Sequence, residues 1–314
     1  MIPHLLIPHA AARDQHDQSL WPAQVPRELP HLSALLPLMS VAEQVDAGPE
    51  CPSMPYELAL AALLGLPASE GQIPWAALET RTTGQPCGWI RPCHLQVGSD
   101  QVRLGAPEQL DLQEAESRAL FEAAQPYFEE DGIALRYVMP HAWLATGEPL
   151  RGLTTWSLDR LAGRPITPAV LHFSGHPEAL RWRRLQNEMQ MLFYAHRVND
   201  DRQQRRLPLI NALWVTGAGL LEALPPPAPQ VQVENRLQAS ALALDARAYV
   251  DAWQAVDGDS VARLLAEARR GTPVRLTLAG EQRAITLVAS RASAWQRLTR
   301  LFASRPSLAL LDTL

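Results

Sequence analysis

The 314-residue sequence contains no lysine; all 28 of its basic residues are arginine. Chemistries that need a titratable primary amine or its compact point charge are thereby excluded. These include Schiff-base catalysis, pyridoxal phosphate attachment and a Walker-type phosphate loop. Cysteine is scarce: Cys51, Cys87 and Cys93 are an odd number in a long chain, so reduced thiols are expected and not a disulfide framework. No stretch approaches 18 uninterrupted apolar residues. Met1-Ile2-Pro3-His4-Leu5-Leu6-Ile7-Pro8 lacks the positive start of a signal peptide. A cytoplasmic protein without membrane association is the expectation. Excess positive charge is lacking too: the formal net charge is -5 and the pI about 6.0, which gives no electrostatic reason to expect nucleic acid as a partner.

What is present is apolar material in quantity, 47% of residues against 19% charged, enough for a large packed core. Twenty-seven prolines cut the chain into short pieces. A strand is expected at 5–7 and a helix from Ser53 to Leu64, with Ser53 as N-cap and Gly65 as its stop. Strands at 89–97 and 101–104 flank Gly98-Ser99-Asp100, a hairpin turn by its chemistry. Asp111-Leu112-Gln113-Glu114 reads as a capping box opening a helix to about Glu130, followed by a strand over 133–144. A short helix runs from about Thr155 to Gly163. A long one begins at Pro177, its stripe of Trp182, Leu185, Met189, Leu192 and His196 facing the core. Leu209–Thr216 is a buried strand. Beyond it come helices at 246–256 and 260–270, a hairpin over 274–288 and a helix near 292–303. Strands alternating with helices, with some antiparallel hairpins, give an α/β class: a mixed sheet with flanking helices. The proline-rich Leu224-Pro225-Pro226-Pro227-Ala228-Pro229 suggests a main domain over 1–223, a connector at 224–230 and a smaller α+β portion over 231–314.

Most motif-like constellations fail on detail. Gly217-Ala218-Gly219 follows a strand, but Glu222 stands where a dinucleotide fingerprint needs its third glycine; a turn holding another anion on its N–H groups stays open. Leu171-His172-Phe173-Ser174-Gly175 lacks the first glycine of a nucleophile elbow. His172 and His176 flank a helix start, so they do not share one helical face. Cys87, Cys93 and His94 contain no C-x-x-C pair, and alternation sends Cys93 and His94 to opposite strand faces; no metal site is expected. Asp257-Gly258-Asp259-Ser260 lacks the later acidic ligands of a calcium loop, and Asp259 is better read as a helix cap. The richest polar stretch runs from Arg184 to Trp214. His196, Asn199 and Arg202 are spaced by three, with Asn211 on the next strand; together with Gly217 and Gly219 they form a candidate pocket for phosphate or carboxylate. His94 and His196 are the candidates for acid–base catalysis.

Three segments carry a family resemblance: Arg91-Pro92-Cys93-His94-Leu95-Gln96-Val97-Gly98, Leu185-Gln186-Asn187-Glu188-Met189-Gln190-Met191-Leu192, and Asn211-Ala212-Leu213-Trp214-Val215-Thr216-Gly217-Ala218-Gly219. Together they resemble the bacterial RpfE-type family, whose members are often labelled regulatory proteins or cofactor-independent phosphoglycerate mutase-like proteins. The mutase label implies an alkaline-phosphatase-like fold with a serine or threonine nucleophile beside two metal ions held by aspartate and histidine. This sequence has no Asp-His-Gly or Asp-His-Asn element and no early Asp-Gly metal motif. The expectation is therefore a non-catalytic or regulatory protein that binds a small anionic metabolite or a protein partner and needs no cofactor. The alternative is a phosphoryl-transfer enzyme or phosphate-ester hydrolase using manganese or magnesium. A protein-interaction surface built from exposed tryptophans is a third possibility.

Overall fold

The computed structural model describes residues 2–13, 18–98, 101–105, 110–162, 164–173, 175–226, 230–289 and 306–314. Its strands are β1 (His4–Ala11), β2 (Ser40–Asp46), β3 (Cys87–Cys93), β4 (Leu95–Val97), β5 (Val102–Leu104) and β6 (Ala134–Met139). They continue with β7 (Ala142–Thr146), β8 (Pro165–Ile166), β9 (Ala212–Gly219), β10 (Val231–Val233), β11 (Val274–Gly280) and β12 (Arg283–Ala289). The helices are α1 (Pro30–Leu35), α2 (Pro55–Leu63), α3 (Trp75–Thr80), α4 (Glu114–Glu130), α5 (Leu158–Leu161) and α6 (Pro168–Leu171). After them come α7 (Ala179–Tyr194), α8 (Arg197–Gln204), α9 (Gln238–Leu242), α10 (Ala246–Val256) and α11 (Ala262–Arg269). This is an α/β protein with a mixed sheet and flanking helices, as the alternation of patterns implies. The helix expected near 292–303 and the turn residues Ser99 and Asp100 lie outside the described residues.

Two compact units divide the chain, Met1–Leu64 with Pro227–Leu314 forming the first and Gly65–Pro226 the second. The sequence division at 1–223 and 231–314 differs from this for a physical reason. Strand β1 inserts between β10 and β11 and pairs in parallel with both, and β2 pairs with β12, so two early strands share a sheet with three from beyond residue 230. The break at Pro226 does fall inside the proline-rich segment proposed as connector.

The first unit has the sheet order β10-β1-β11-β12-β2, parallel across its first three strands and antiparallel in the last two pairings. β1 is buried along nearly its whole length because both faces are covered. Leu5, Ile7, Leu276 and Leu278 pack with Leu32 of α1, Trp253 of α10 and Leu265 of α11, while Ala279 and Ala284 on the opposite face meet Ala59 of α2. Edge strand β2 is mostly exposed and carries Glu43, Gln44 and Asp46, charges and amides that blunt its open edge.

The second unit is built on an antiparallel sheet, β6-β7-β3-β9. One face buries Ile90, Trp143, Ala145, Leu213 and Val215 against Leu120 and Phe128 of α4 and Trp182, Leu185 and Met189 of α7. The expected stripe of α7 therefore faces the core through Trp182, Leu185 and Met189, with Leu192 partly buried against the same cluster and Phe193 fully buried. The other face carries α3, and beside it a small sheet, β4-β5-β8, shares a cluster with Cys93, Ala212 and Trp214.

Several boundaries moved. The α4 box is built by Gln113 and Glu116, the Gln113 N–H donating to Glu116 Oε2 at 3.1 Å; Asp111 has φ +43° and stands outside the helix. Likewise α2 starts at Met54, whose N–H donates to Glu57 Oε2 at 2.7 Å, and not at Ser53. The strand expected at 133–144 is a hairpin, β6 turning at Pro140-His141 into β7. Asp259 does not cap a new helix: Asp257–Val261 is a π-helical turn that carries α10 into α11 without a break.

Candidate functional site

The polar residues singled out between His94 and Gly219 all lie in the second unit, and the chain itself uses most of their polar atoms. Asn199 is buried; its Nδ2 donates to the carbonyls of Phe193 at 2.8 Å and Ile210 at 2.7 Å, and its Oδ1 accepts from the Ile210 N–H at 2.9 Å. Arg202 has 0% exposure: Nε donates to the Pro208 carbonyl at 2.8 Å, Nη1 to Glu116 Oε2 at 2.7 Å and Nη2 to the Leu110 carbonyl. These two side chains fasten the loop after α8 to the start of β9 and to the entrance of α4. Asn211 behaves as a piece of strand, its Oδ1 accepting from the Leu95 N–H at 2.7 Å and its Nδ2 donating to the Leu95 carbonyl at 2.9 Å.

His196 ends the run of α7 and caps α8, its Nδ1 accepting from the Val198 N–H at 3.2 Å. Burial first, then the Arg197 charge, hold its pKa below the ordinary value against Asp200. His94 is half-buried, with Nδ1 bonded to the Leu209 carbonyl at 2.8 Å. Gly217 and Gly219 belong to β9 and are points of close approach. A Cβ at Gly217, where φ is +59°, would stand 3.0 Å from Trp75 Cβ; one at Gly219 would stand 2.8 Å from Pro74 Cβ. Their smallness seats α3 on the sheet.

A different cluster is open on the face that α3 partly covers. Strand alternation along β3 sends Cys87, Trp89, Arg91 and Cys93 to this face, and the register brings Thr216 of β9 alongside. Arg91 is half-buried. Its Nε donates to Thr216 Oγ1 at 3.0 Å and its Nη1 reaches the His141 carbonyl at 3.5 Å, while Nη2 has no partner among the described residues. No carboxylate lies in ion-pair contact with it among those residues. Glu79 of α3 takes its hydrogen bond from Trp89 Nε1 at 2.8 Å. Burial lowers the Arg91 pKa, and the charges of Glu79 and Asp159 work against that shift without touching the guanidinium. His141, at the β6–β7 turn, is exposed and is pushed below its usual value by partial burial and by Arg91. Arg136 of β6 is exposed on the same face, opposite Leu144, and has no partner among the described residues.

No family model matches the chain, and no curated protein matches it by sequence. Among solved structures, it is similar to the cofactor-independent phosphoglycerate mutase from Thermoplasma acidophilum DSM 1728. The identity is 15% and the TM-score 0.36, over 99% of this chain and 98% of that one. It is also similar to the PH0037 protein from Pyrococcus horikoshii, with 10% identity and a TM-score of 0.42 over 93% of this chain and 88% of the other. Both are coarse likenesses of fold.

Among the described residues, no three His, Cys, Asp or Glu side chains gather as metal ligation needs. Burial pushes the Cys87 thiol up to about 11 and the Cys93 thiol to about 12, so neither supplies a thiolate near neutral pH. What the open face offers is a cation withdrawn from water, a hydroxyl, a neutral imidazole and a second, solvated guanidinium. Arg91 stands in the first of the three resemblance segments, and its period-2 neighbours Trp89 and Cys93 mark its face. Residue types alone favoured the Arg184–Trp214 stretch because they do not tell which polar atoms the fold has already used.

Proposed function

We propose that this protein is a non-catalytic, regulatory-type binding protein that holds a small anionic metabolite on the open face of the second unit's sheet. The observation that supports this is Arg91, a half-buried guanidinium with no partner for Nη2 and no carboxylate in contact among the described residues. A phosphate or carboxylate oxygen would complete that shell, and a charge-assisted hydrogen bond in such a place contributes about 1.5–3 kcal/mol. Thr216 orients the guanidinium through Nε. His141, neutral near pH 7, does not compete for the anion as another cation would. The donors of Arg202, Asn199 and Asn211 are spent on the chain, which moves the anion contact from that cluster to Arg91.

The test is calorimetric titration of the purified chain with inorganic phosphate and with 3-phosphoglycerate. Arg91→Gln keeps a polar side chain but removes the guanidinium, and should weaken binding at least about tenfold, which is 1.4 kcal/mol. Equal affinity in the variant would remove this site. Turnover of a phosphoglycerate with manganese or magnesium, lost in His94→Ala or His196→Ala, would replace the reading with the phosphoryl-transfer alternative. A chain that binds neither probe would point to a protein partner.

A further inference from the structure

The first unit contains a cavity of about 550 Å³ that none of the polar residues above touches. It opens where β1 and β10 begin, beside α11. That is the end of the parallel strands opposite the one at which α/β sheets place their chemistry, and the volume falls in the range of small-molecule pockets. Its apolar wall comes from Pro3 and Leu5 on the β1 side, Val231 from β10 and Leu264 from α11, and His4, whose Nε2 is bonded to Thr277 Oγ1, lies among them. Leu5 and Leu264 are both buried, so the wall belongs to the packed core and not to a loose surface.

Gln230 and Gln232 in the lining have polar atoms without a partner among the described residues. Gln230 immediately precedes β10 and Gln232 lies within it, and both line the cavity. Gln230 makes no hydrogen bond among the described residues. Gln232 gives Nε2 to Ser260 Oγ at 3.4 Å, and its oxygen has no partner among the described residues. β10 is also the terminal strand of its sheet among the described residues.

The charged groups here are already committed. Arg263 pairs with Asp259 at 3.3 Å, and Glu267 with Arg270 at 2.7 Å while accepting from Thr272 Oγ1 at 3.0 Å. Ser260 gives its proton to Glu234 Oε2 at 2.5 Å and accepts from Arg236 at 2.8 Å. A charged ligand would lose water here without gaining a free counter-charge, whereas an amide would find complementary amides. We propose that this cavity binds a small uncharged ligand with an apolar body and amide groups, held by Gln230 and Gln232. The site is independent of Arg91.

Three probes with one body separate charge from shape: N-acetyl-L-phenylalaninamide, its acid N-acetyl-L-phenylalanine, and the cationic L-phenylalaninamide. Each is titrated into the full ¹⁵N-labelled chain while the side-chain amide signals of Gln230 and Gln232 are followed. The neutral probe should shift both signals saturably and bind at least about tenfold tighter than either charged congener. Gln230→Ala with Gln232→Ala should weaken it by about tenfold. Both residues are exposed, so the fold is retained, which an unchanged thermal midpoint checks. Equal affinity for the three probes, undiminished binding in the double variant, or no saturable shift with the neutral probe would each overturn the proposal.

Discussion

Arg202 and Arg91 are both arginines drawn out of water, and they differ in what surrounds their nitrogens. The guanidinium of Arg202 is closed by Glu116, Leu110 and Pro208 and works as a fastener. Arg202→Ala would leave Glu116 and two carbonyls without their donor, and breaking a buried pair in this way costs about 3–5 kcal/mol. Urea unfolding should show a loss of that size, with Arg205 at 3.2 Å from Glu116 recovering only a little of it. A ligand-binding role for Arg202 would instead leave the midpoint nearly unchanged. This residue also shows where sequence reading stops. Its spacing from His196 and Asn199 is visible in the chain, but its carboxylate partner is 86 residues away on α4. The three cysteines carry a second prediction at this scale. All are buried, and with Cys87 and Cys93 raised to about 11 and 12 the native protein should resist iodoacetamide at pH 8. Mass spectrometry should find those two sites alkylated only after denaturation.

At the scale of elements, α1 shows a helix whose cap comes from elsewhere. Leu29 stands at its N-cap and offers no acceptor, yet the His31 and Leu32 N–H groups donate to Asp257 at 3.1 and 2.7 Å. His31 Nδ1 adds a contact to the same carboxylate at 3.0 Å. Asp257 lies in the π-helical turn between α10 and α11, and the bulge there holds a buried carboxylate at the start of α1. Asp257→Ala should therefore destabilise the protein by about 1–2 kcal/mol, the worth of a lost helix cap. Its unfolding transition can be compared with that of Asp245→Ala, which removes the local cap of α10. The two caps differ in legibility. Asp245 sits directly before the helix it caps, whereas Asp257 acts across 225 residues and resembles the beginning of a calcium loop. The same contrast runs through the other elements. Hydrophobic period and local caps placed α4, α7, α10 and the β11–β12 hairpin, whereas the glycines of β9 read as a turn because the neighbour that demands them, α3, lies far off in sequence.

For the whole molecule, the first unit's stability should depend on acidity through His4. This histidine is buried on β1, with Nε2 bonded to Thr277 Oγ1 at 2.8 Å, which in turn meets Thr286 Oγ1 at 2.8 Å. Burial, then the Arg275 charge, push its pKa from 6.5 to about 4, with Glu43 opposing. A histidine held neutral in the fold leaves stability intact above pH 6.5. As pH falls from there toward 4 the unfolded chain takes up the proton first and the fold weakens, by on the order of 3 kcal/mol at the lower limit. Urea midpoints at pH 7 and 4.5 should differ by less in His4→Gln than in the parent. The division into units gives a further test. Residues 65–226 expressed alone should give a cooperative thermal transition, and residues 227–314 alone should not, because the sheet they build lacks its inner strand.

The seating of β1 between β10 and β11 also fixes an order of events during synthesis. The strand is made before either of its partners, which both come after residue 230. At ordinary translation speeds of about 5–20 residues per second, the apolar His4–Ala11 segment waits for roughly ten seconds to a minute before β11 exists. The middle unit is complete well before then. While the ribosome is still at work, the nascent chain thus carries a completed second unit and an apolar β1 whose two partner strands are still to be made. That strand is where a chaperone would bind, and where slowed elongation would turn folding toward aggregation.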